Sequence, residues 1–327
     1  MHVLPLEIQH GIFLLACTDG GRTGLAISLT SRSYRDAVRP VRFHSIAVRA
    51  FPHIADVIQS YKHDLAELEA SGSTLKPRVR HLLLSPESKQ PNDANQFALE
   101  EESSAAEDEA YTASVVALLQ LVGPTLTTLA YTAQLRFMGI GDGVCPMPKL
   151  EELTVFLNPC ERRSNVLLGP PHPPTSYPAL RRPHIVLSWG AVVPELMGWW
   201  AEAAPDVTDV RLTNVFRRDG GSAWVETMLD EDRAKRPYRS VRRLFIEPYQ
   251  KPIGGKCGNP RVQHTYFVKA LKDLRKRVPG DIEFVLKGRE SAGQPLNRIA
   301  DVERYWMDGV NGGPGGWRWP DEATVAR

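Results

Sequence analysis

Three observations predict an α/β chain with a short N-terminal helical unit followed by an irregular solenoid of strands and helices. The first fifty residues carry apolar positions at helical spacing. Beyond them an apolar-x-x-apolar-x-apolar spacing recurs, as Val79-x-x-Leu82-x-Leu84, Leu126-x-x-Leu129-x-Tyr131, Leu150-x-x-Leu153-x-Val155, Val207-x-x-Val210-x-Leu212 and Val241-x-x-Leu244-x-Ile246. Between these copies lie segments of helical periodicity. The first apolar residue of each copy turns the chain inward, and the next two share one face of a short strand. Looser copies begin at Leu180 and near Ile282.

With 327 residues, 42% of them hydrophobic, and a formal net charge of +2, the chain has ample material for a buried core. The longest apolar runs, such as Gly11 to Cys17, are far shorter than the ~20 residues of a membrane span. Glu7 occupies a position where a signal peptide carries positive charge. The expectation is an intracellular protein of cytoplasm or nucleus with no membrane partner. Cys17, Cys145, Cys160 and Cys257 are far apart, with no CxxC and no His at ligand spacing, so neither a zinc site nor a disulfide framework is expected.

The helical unit is read over residues 1–50. Leu4-Pro5-Leu6-Glu7-Ile8 opens a first helix in which Leu4, Ile8, Ile12 and Leu15 recur at helical spacing, and Pro5 is tolerated because no N–H is needed there. Thr18-Asp19-Gly20-Gly21 is a turn cluster. A second helix runs from Gly24 to Leu29, and Thr30-Ser31 can cap a third from Arg32 to Val38, which Pro40 limits. Three short helices cannot make a stable core alone. One apolar face must therefore pack on the rest of the chain or on a partner.

These residues resemble the F-box, the helical motif that docks a substrate receptor onto the Skp adaptor of a cullin-RING ubiquitin ligase. The resemblance covers Leu4 to Ile46. It rests on Leu4-Pro5-x-Glu7-Ile8 with Ile12 one turn later, on Leu29 followed by Ser31-Arg32-x-Tyr34-Arg35, and on the closing Pro40-Val41-Arg42-Phe43. Asp19-Gly20-Gly21-Arg22-Thr23-Gly24 departs from the shorter turn usual in that family. The resemblance implies that Leu4, Pro5, Ile8, Ile12 and Leu29 form the adaptor-binding face, flanked by Ser31 and Arg32, and that a cullin is reached through the adaptor.

Residues 51–308 are read as a degenerate leucine-rich-repeat-like solenoid, because Leu150-x-x-Leu153-x-Val155-x-x-Asn158 completes that repeat's signature. Helix candidates are Ile54 to Leu68, Ser114 to Leu121, Val193 to Ala203, Ala223 to Arg233 and Val262 to Arg277. Long helices on irregular repeats are similar to the architecture of fungal F-box receptors. Near 87–110 the acids Glu87, Asp93, Glu100, Glu101, Glu102, Glu107, Asp108 and Glu109 face the single base Lys89, which reads as a solvated, disordered insertion. The 309–327 tail is rich in Gly, Pro and Trp. Its Trp317 and Trp319 either cap the last repeat or engage a partner.

In a solenoid the alternate strand residues face the concave surface, where a target protein binds. Phe156, Arg211, Arg243 and Phe245 are the candidate partner-binding positions, since aromatic and Arg side chains anchor interfaces. From Arg233 to Arg289, 16 Lys and Arg stand against four acids, so the target of this region is expected to be acidic or phosphorylated. No nucleic-acid-binding motif accompanies the excess. Gly139-Ile140-Gly141-Asp142-Gly143 lacks the third glycine of a dinucleotide loop, and Gly254-Gly255-Lys256-Cys257 lacks the hydroxyl residue that would hold magnesium. No catalytic residue, cofactor or metal is assigned. The expected function is substrate recognition in a Skp–cullin–F-box ubiquitin ligase; the alternative is a non-ligase scaffold for protein–protein interaction.

Overall fold

A computed structural model describes residues 4–50, 52–85, 105–132, 146–157, 177–187, 201–215, 221–249, 260–287 and 298–317. They form two compact units. The first takes residues 1–133 and 297–327, and the second takes 134–296. The first holds α1 (Leu6–Ala16), α2 (Arg22–Thr30), α3 (Arg32–Val38), β1 (Ser45–Val48), α4 (Pro52–Ala70), β2 (His81–Leu84), α5 (Ala105–Val122) and β3 (Thr128–Tyr131). The second holds β4 (Glu152–Leu157), β5 (Arg182–Leu187), β6 (Asp209–Val215), α6 (Gly221–Met228), β7 (Arg243–Pro248), α7 (Pro260–Arg275) and β8 (Glu283–Leu286). The chain then returns to the first unit with α8 (Arg298–Val310).

Every strand pairing within each unit is parallel and follows chain order. Ile46 registers with Leu82 and Leu82 with Leu129 in the first unit. In the second, Val155 registers with Ile185, Ile185 with Leu212, Leu212 with Ile246 and Ile246 with Leu286. The apolar residues that open each spacing, Val79, Leu126, Leu150, Leu180, Val207 and Val241, are all buried. They explain why consecutive strands enter the sheet at the same level. Burying each such Val or Leu contributes about 1.5–3 kcal/mol relative to leaving it exposed.

The fold corrects the expected helical unit followed by a leucine-rich-repeat-like solenoid in two respects. A solenoid repeat meets only its neighbours and leaves one strand face open. Here both strand faces are covered, as is usual for parallel sheets: Leu82 and Leu84 are buried on one side of β2, Leu83 on the other, and every residue of β6 is buried. In addition, α8 packs on β2 and β3, strands that precede it by well over a hundred residues. Arg49 pairs with Glu303, and Thr18 Oγ1 donates to Asn311 Oδ1 at 2.7 Å. The N-terminal helices therefore belong to the same compact unit as β1–β3 and α8.

Closure of the first unit uses the C-terminal Gly/Trp sequence. Val302, Trp306, Val310 and Trp317 are buried. The Asp308 carboxylate accepts from the Gly315 N–H at 2.7 Å, and Gly315 has φ +59°, a conformation that side chains rarely adopt. Trp319 lies outside the described residues, as do residues 86–104 of the acidic segment and most of the helix expected from Val193 to Ala203. The last acids of that segment, Glu107 to Glu109, fall within α5.

Candidate docking surface

The three N-terminal helices pack around a small core of Phe13, Cys17, Ala37 and Val38, with Ile27 and Val41 against it. Phe13 meets Tyr34 edge to face at 6.1 Å between centroids. Burial, with Asp19 second, pushes the Cys17 thiol up to about 11, so it is a protonated packing group. Ser31 caps α3, its hydroxyl accepting from the Tyr34 N–H at 3.1 Å. Pro5 is the cap residue of α1, and its carbonyl accepts from the Ile8 and Gln9 N–H groups.

The long turn between α1 and α2 has a specific task. The Asp19 carboxylate accepts from the Thr23 N–H and from the Thr23 hydroxyl. Gly20 stands at φ +77°, and an added Cβ would come within 2.9 Å of the Ala47 Cβ. Its carbonyl accepts from the Ala47 N–H, and Ser45 Oγ accepts from the Gly20 N–H while donating to Cys17 O. The turn that departs from the F-box pattern is thus the seam that fastens α1 and α2 to β1.

A buried charge fastens α3 to α4. Asp64, on α4, is 3.0 Å from the Arg42 guanidinium and 3.7 Å from that of Arg39. Arg42 also lies 4.5 Å over the Phe43 ring, which packs on Tyr61, and Tyr61 donates to Pro77 O at 2.7 Å. Burial raises the Asp64 carboxyl, although Arg42 and Arg39 oppose it. Sequence reading missed Asp64, since nothing in its spacing distinguishes it from the exposed charges of the same helix.

Held from behind by these contacts, α1 and α2 turn apolar side chains outward. Leu4, Ile8, Ile12 and Leu15 are 52, 52, 49 and 79% exposed, and on α2 Leu25 and Leu29 are 56 and 71% exposed. Leu6 and Leu14 are also exposed. Pro5, Ser31 and Arg32 are exposed at the margins of the same helices. The structure therefore brings all seven residues singled out from the motif onto the surface of one helical group. On α3 Tyr34 is exposed as well, and elsewhere among the described residues the exposed large apolar side chains are Leu75, Val262 and Tyr266.

The other four candidate positions are placed differently. Phe156, Arg211 and Phe245 are buried, and Arg243 is half-buried, paired with Asp209 and 5.9 Å from the Phe245 ring. Around Arg211 lies a polar interior: its guanidinium is 3.5 Å from Glu247, and His184 Nε2 is 2.9 Å from the Thr213 hydroxyl. Burial, aided by Arg211, pulls His184 well below its ordinary range, so the ring is neutral at physiological pH. These residues sit at alternate positions of adjacent strands, on the face a solenoid would leave open. The polar residues at those alternate positions, Arg211 and Thr213 on β6 and Glu247 on β7, were the available signal.

Among the described residues no group of three or more His, Cys, Asp or Glu is placed to hold a metal ion. No helix among them is long and apolar enough to cross a membrane. No protein-family model matches the chain, no curated protein matches it, and no solved structure matches it.

Proposed function

We propose that the chain is a non-catalytic receptor whose N-terminal helices dock a Skp-type adaptor and, through it, a cullin ubiquitin ligase. The observation that carries this reading is the exposed apolar stripe of Leu4, just before α1, and Ile8, Ile12 and Leu15 on it, with Leu25 and Leu29 exposed on α2. Contiguous exposed apolar surface on a folded protein marks an interaction site. The F-box resemblance, carried by the same residues, supplies the occupant. In this mechanism the receptor makes and breaks no bond. It raises the effective concentration of a bound target near the ubiquitin-charged enzyme, and proximity supplies the rate.

Exposure of Ile8 also favours docking over the alternative in which α1 merely caps the fold. A capping residue would be buried, and Ile8→Asp would then unfold the protein. Co-purification of the full chain with the Skp adaptor, beside an Ile8→Asp/Ile12→Asp variant checked by circular dichroism, tests the reading. The expected result is a stable wild-type complex that is lost in a variant of unchanged helicity. A folded wild type that fails to bind the adaptor overturns it.

A further inference from the structure

The candidate positions of the second unit, apart from half-buried Arg243, are interior, so a partner of that unit must meet another surface. The sequence excess of Lys and Arg becomes a defined place in the fold. The loop before β7 carries Arg233, Lys235, Arg239 and Arg242, and the end of α7 carries Arg275, Lys276 and Arg277; all seven are exposed. Both segments lead into the starts of neighbouring parallel strands, β7 and β8. They are tied together by the Glu283 N–H donating to Arg242 O at 2.7 Å, and by the Arg236 guanidinium on both oxygens of Asp281 at 2.8 and 3.2 Å. Their backbones therefore share one edge of the sheet.

Internal pairing takes up only part of this charge. Lys276 is bonded to Asp273 and Lys235 to Asp232, and Arg236 holds Asp281, whose carboxyl lies below its usual range because of that bond, with Arg233 adding to the effect. Arg239, Arg242, Arg275 and Arg277 have no ion pair among the described residues. Four exposed guanidiniums at one edge are geometrically suited to planar oxyanions, each being able to present two parallel N–H donors. The acids Asp232, Asp273 and Glu283 stand in or beside the same two segments as these arginines, so the positive charge is uninterrupted over short stretches only, which suits a short segment with a few carboxylates better than a long phosphate backbone.

We propose that this edge of the second unit, built on Arg239, Arg242, Arg275 and Arg277, binds a short Asp/Glu-rich segment of a partner protein. The site is independent of whatever α1 and α2 dock. Its test is a fluorescence-anisotropy titration of the full chain with a fluorescein-labelled peptide of alternating Asp and Glu. Arg239→Gln/Arg242→Gln and, separately, Arg275→Gln/Arg277→Gln are expected to weaken binding by about tenfold or more. Lys62→Gln/Lys76→Gln, which removes the same charge from exposed positions of the first unit, is expected to change it by less than about twofold.

Circular dichroism establishes that each variant is folded, and the two Arg pairs provide independent trials. An equal loss in the Lys62/Lys76 variant would reduce the effect to net charge and overturn the site. So would wild type that fails to bind the peptide, that binds only a phosphoserine peptide, or that prefers an oligothymidylate of matching charge.

Discussion

The N-terminal helices and the β5–β7 region invert each other's burial. On α1 and α2, Leu15 and Leu29 are 79 and 71% exposed, whereas on β6 Arg211 is 1% exposed. Apolar groups lie in water in one region, and charges are withdrawn from it in the other. The difference shows which interactions each region has completed. Arg211 can be buried because Glu247 faces it, and His184 because it is neutral and bonded to Thr213. The exposed leucines of α1 and α2 have no covering surface among the described residues.

The largest expected effect tests the buried side of this comparison. Glu247→Ala leaves Arg211 charged and buried without its carboxylate, and should cost about 3–5 kcal/mol in urea unfolding. Replacing both partners together, as Arg211→Met/Glu247→Leu, should recover most of the loss, because the cost lies in a buried charge that has lost its facing carboxylate. Equal destabilisation by the single and double replacements would show that packing alone explains the site.

Asp64→Ala comes next. It removes the carboxylate between Arg39 and Arg42, which keep some access to water, and should cost about 1–3 kcal/mol. Because the clamp joins α3 to α4, amide exchange should quicken first in α3. Uniform quickening across the first unit would contradict a local seam.

A pH series tests the interior of the first unit. The His44 and His81 rings meet edge to face at 5.0 Å, and His81 Nδ1 is 2.9 Å from the Thr128 hydroxyl. Burial, with Arg80 second for His44 and with His44 then Arg80 for His81, lowers both to about 4. The unfolded chain takes up protons near the ordinary histidine value of about 6.5, while the folded chain does so only near 4. Stability present above pH 6.5 is therefore lost as pH falls towards 4. His81→Gln should flatten that decline in the urea midpoint, and an unchanged slope would remove this pair as its source.

The smallest effect on stability belongs to the exposed side. Ile8→Asp/Ile12→Asp should shift unfolding by no more than about 0.5 kcal/mol per residue, since neither side chain is in the core. A loss of several kcal/mol would instead reveal that the stripe is covered within the chain itself.

Much of the strand order was legible because the apolar-x-x-apolar-x-apolar spacing recurs between segments of helical periodicity; the spacing alone does not fix a strand, since Val302-x-x-Tyr305-x-Met307 shares it within α8. Each of the five copies leads into one strand, and the looser copies at Leu180 and near Ile282 lead into β5 and β8. β1 was missed although Phe43-x-x-Ile46-x-Val48 has the same spacing, because residues 40–43 also close the helical motif. The third helix was readable to its ends, Arg32 and Val38, because Ser31 caps it and Pro40 follows.

What faces what could not be read in the same way. A strand of alternating Val-Arg-Leu-Thr indicates two faces but not whether the second meets water, since that depends on elements far away in sequence. The return of α8 to β2 and β3 is one such decision, and the pairing of Arg211 with Glu247 across neighbouring strands is another. Local spacing, caps and turns determined the helices, the strands and the apolar stripe of α1, because their physics acts within a few residues. Tertiary structure alone decided that Arg211 and Phe245 are interior while Ile8 and Leu29 are not, because burial is set by the whole chain's packing and not by any one segment's composition.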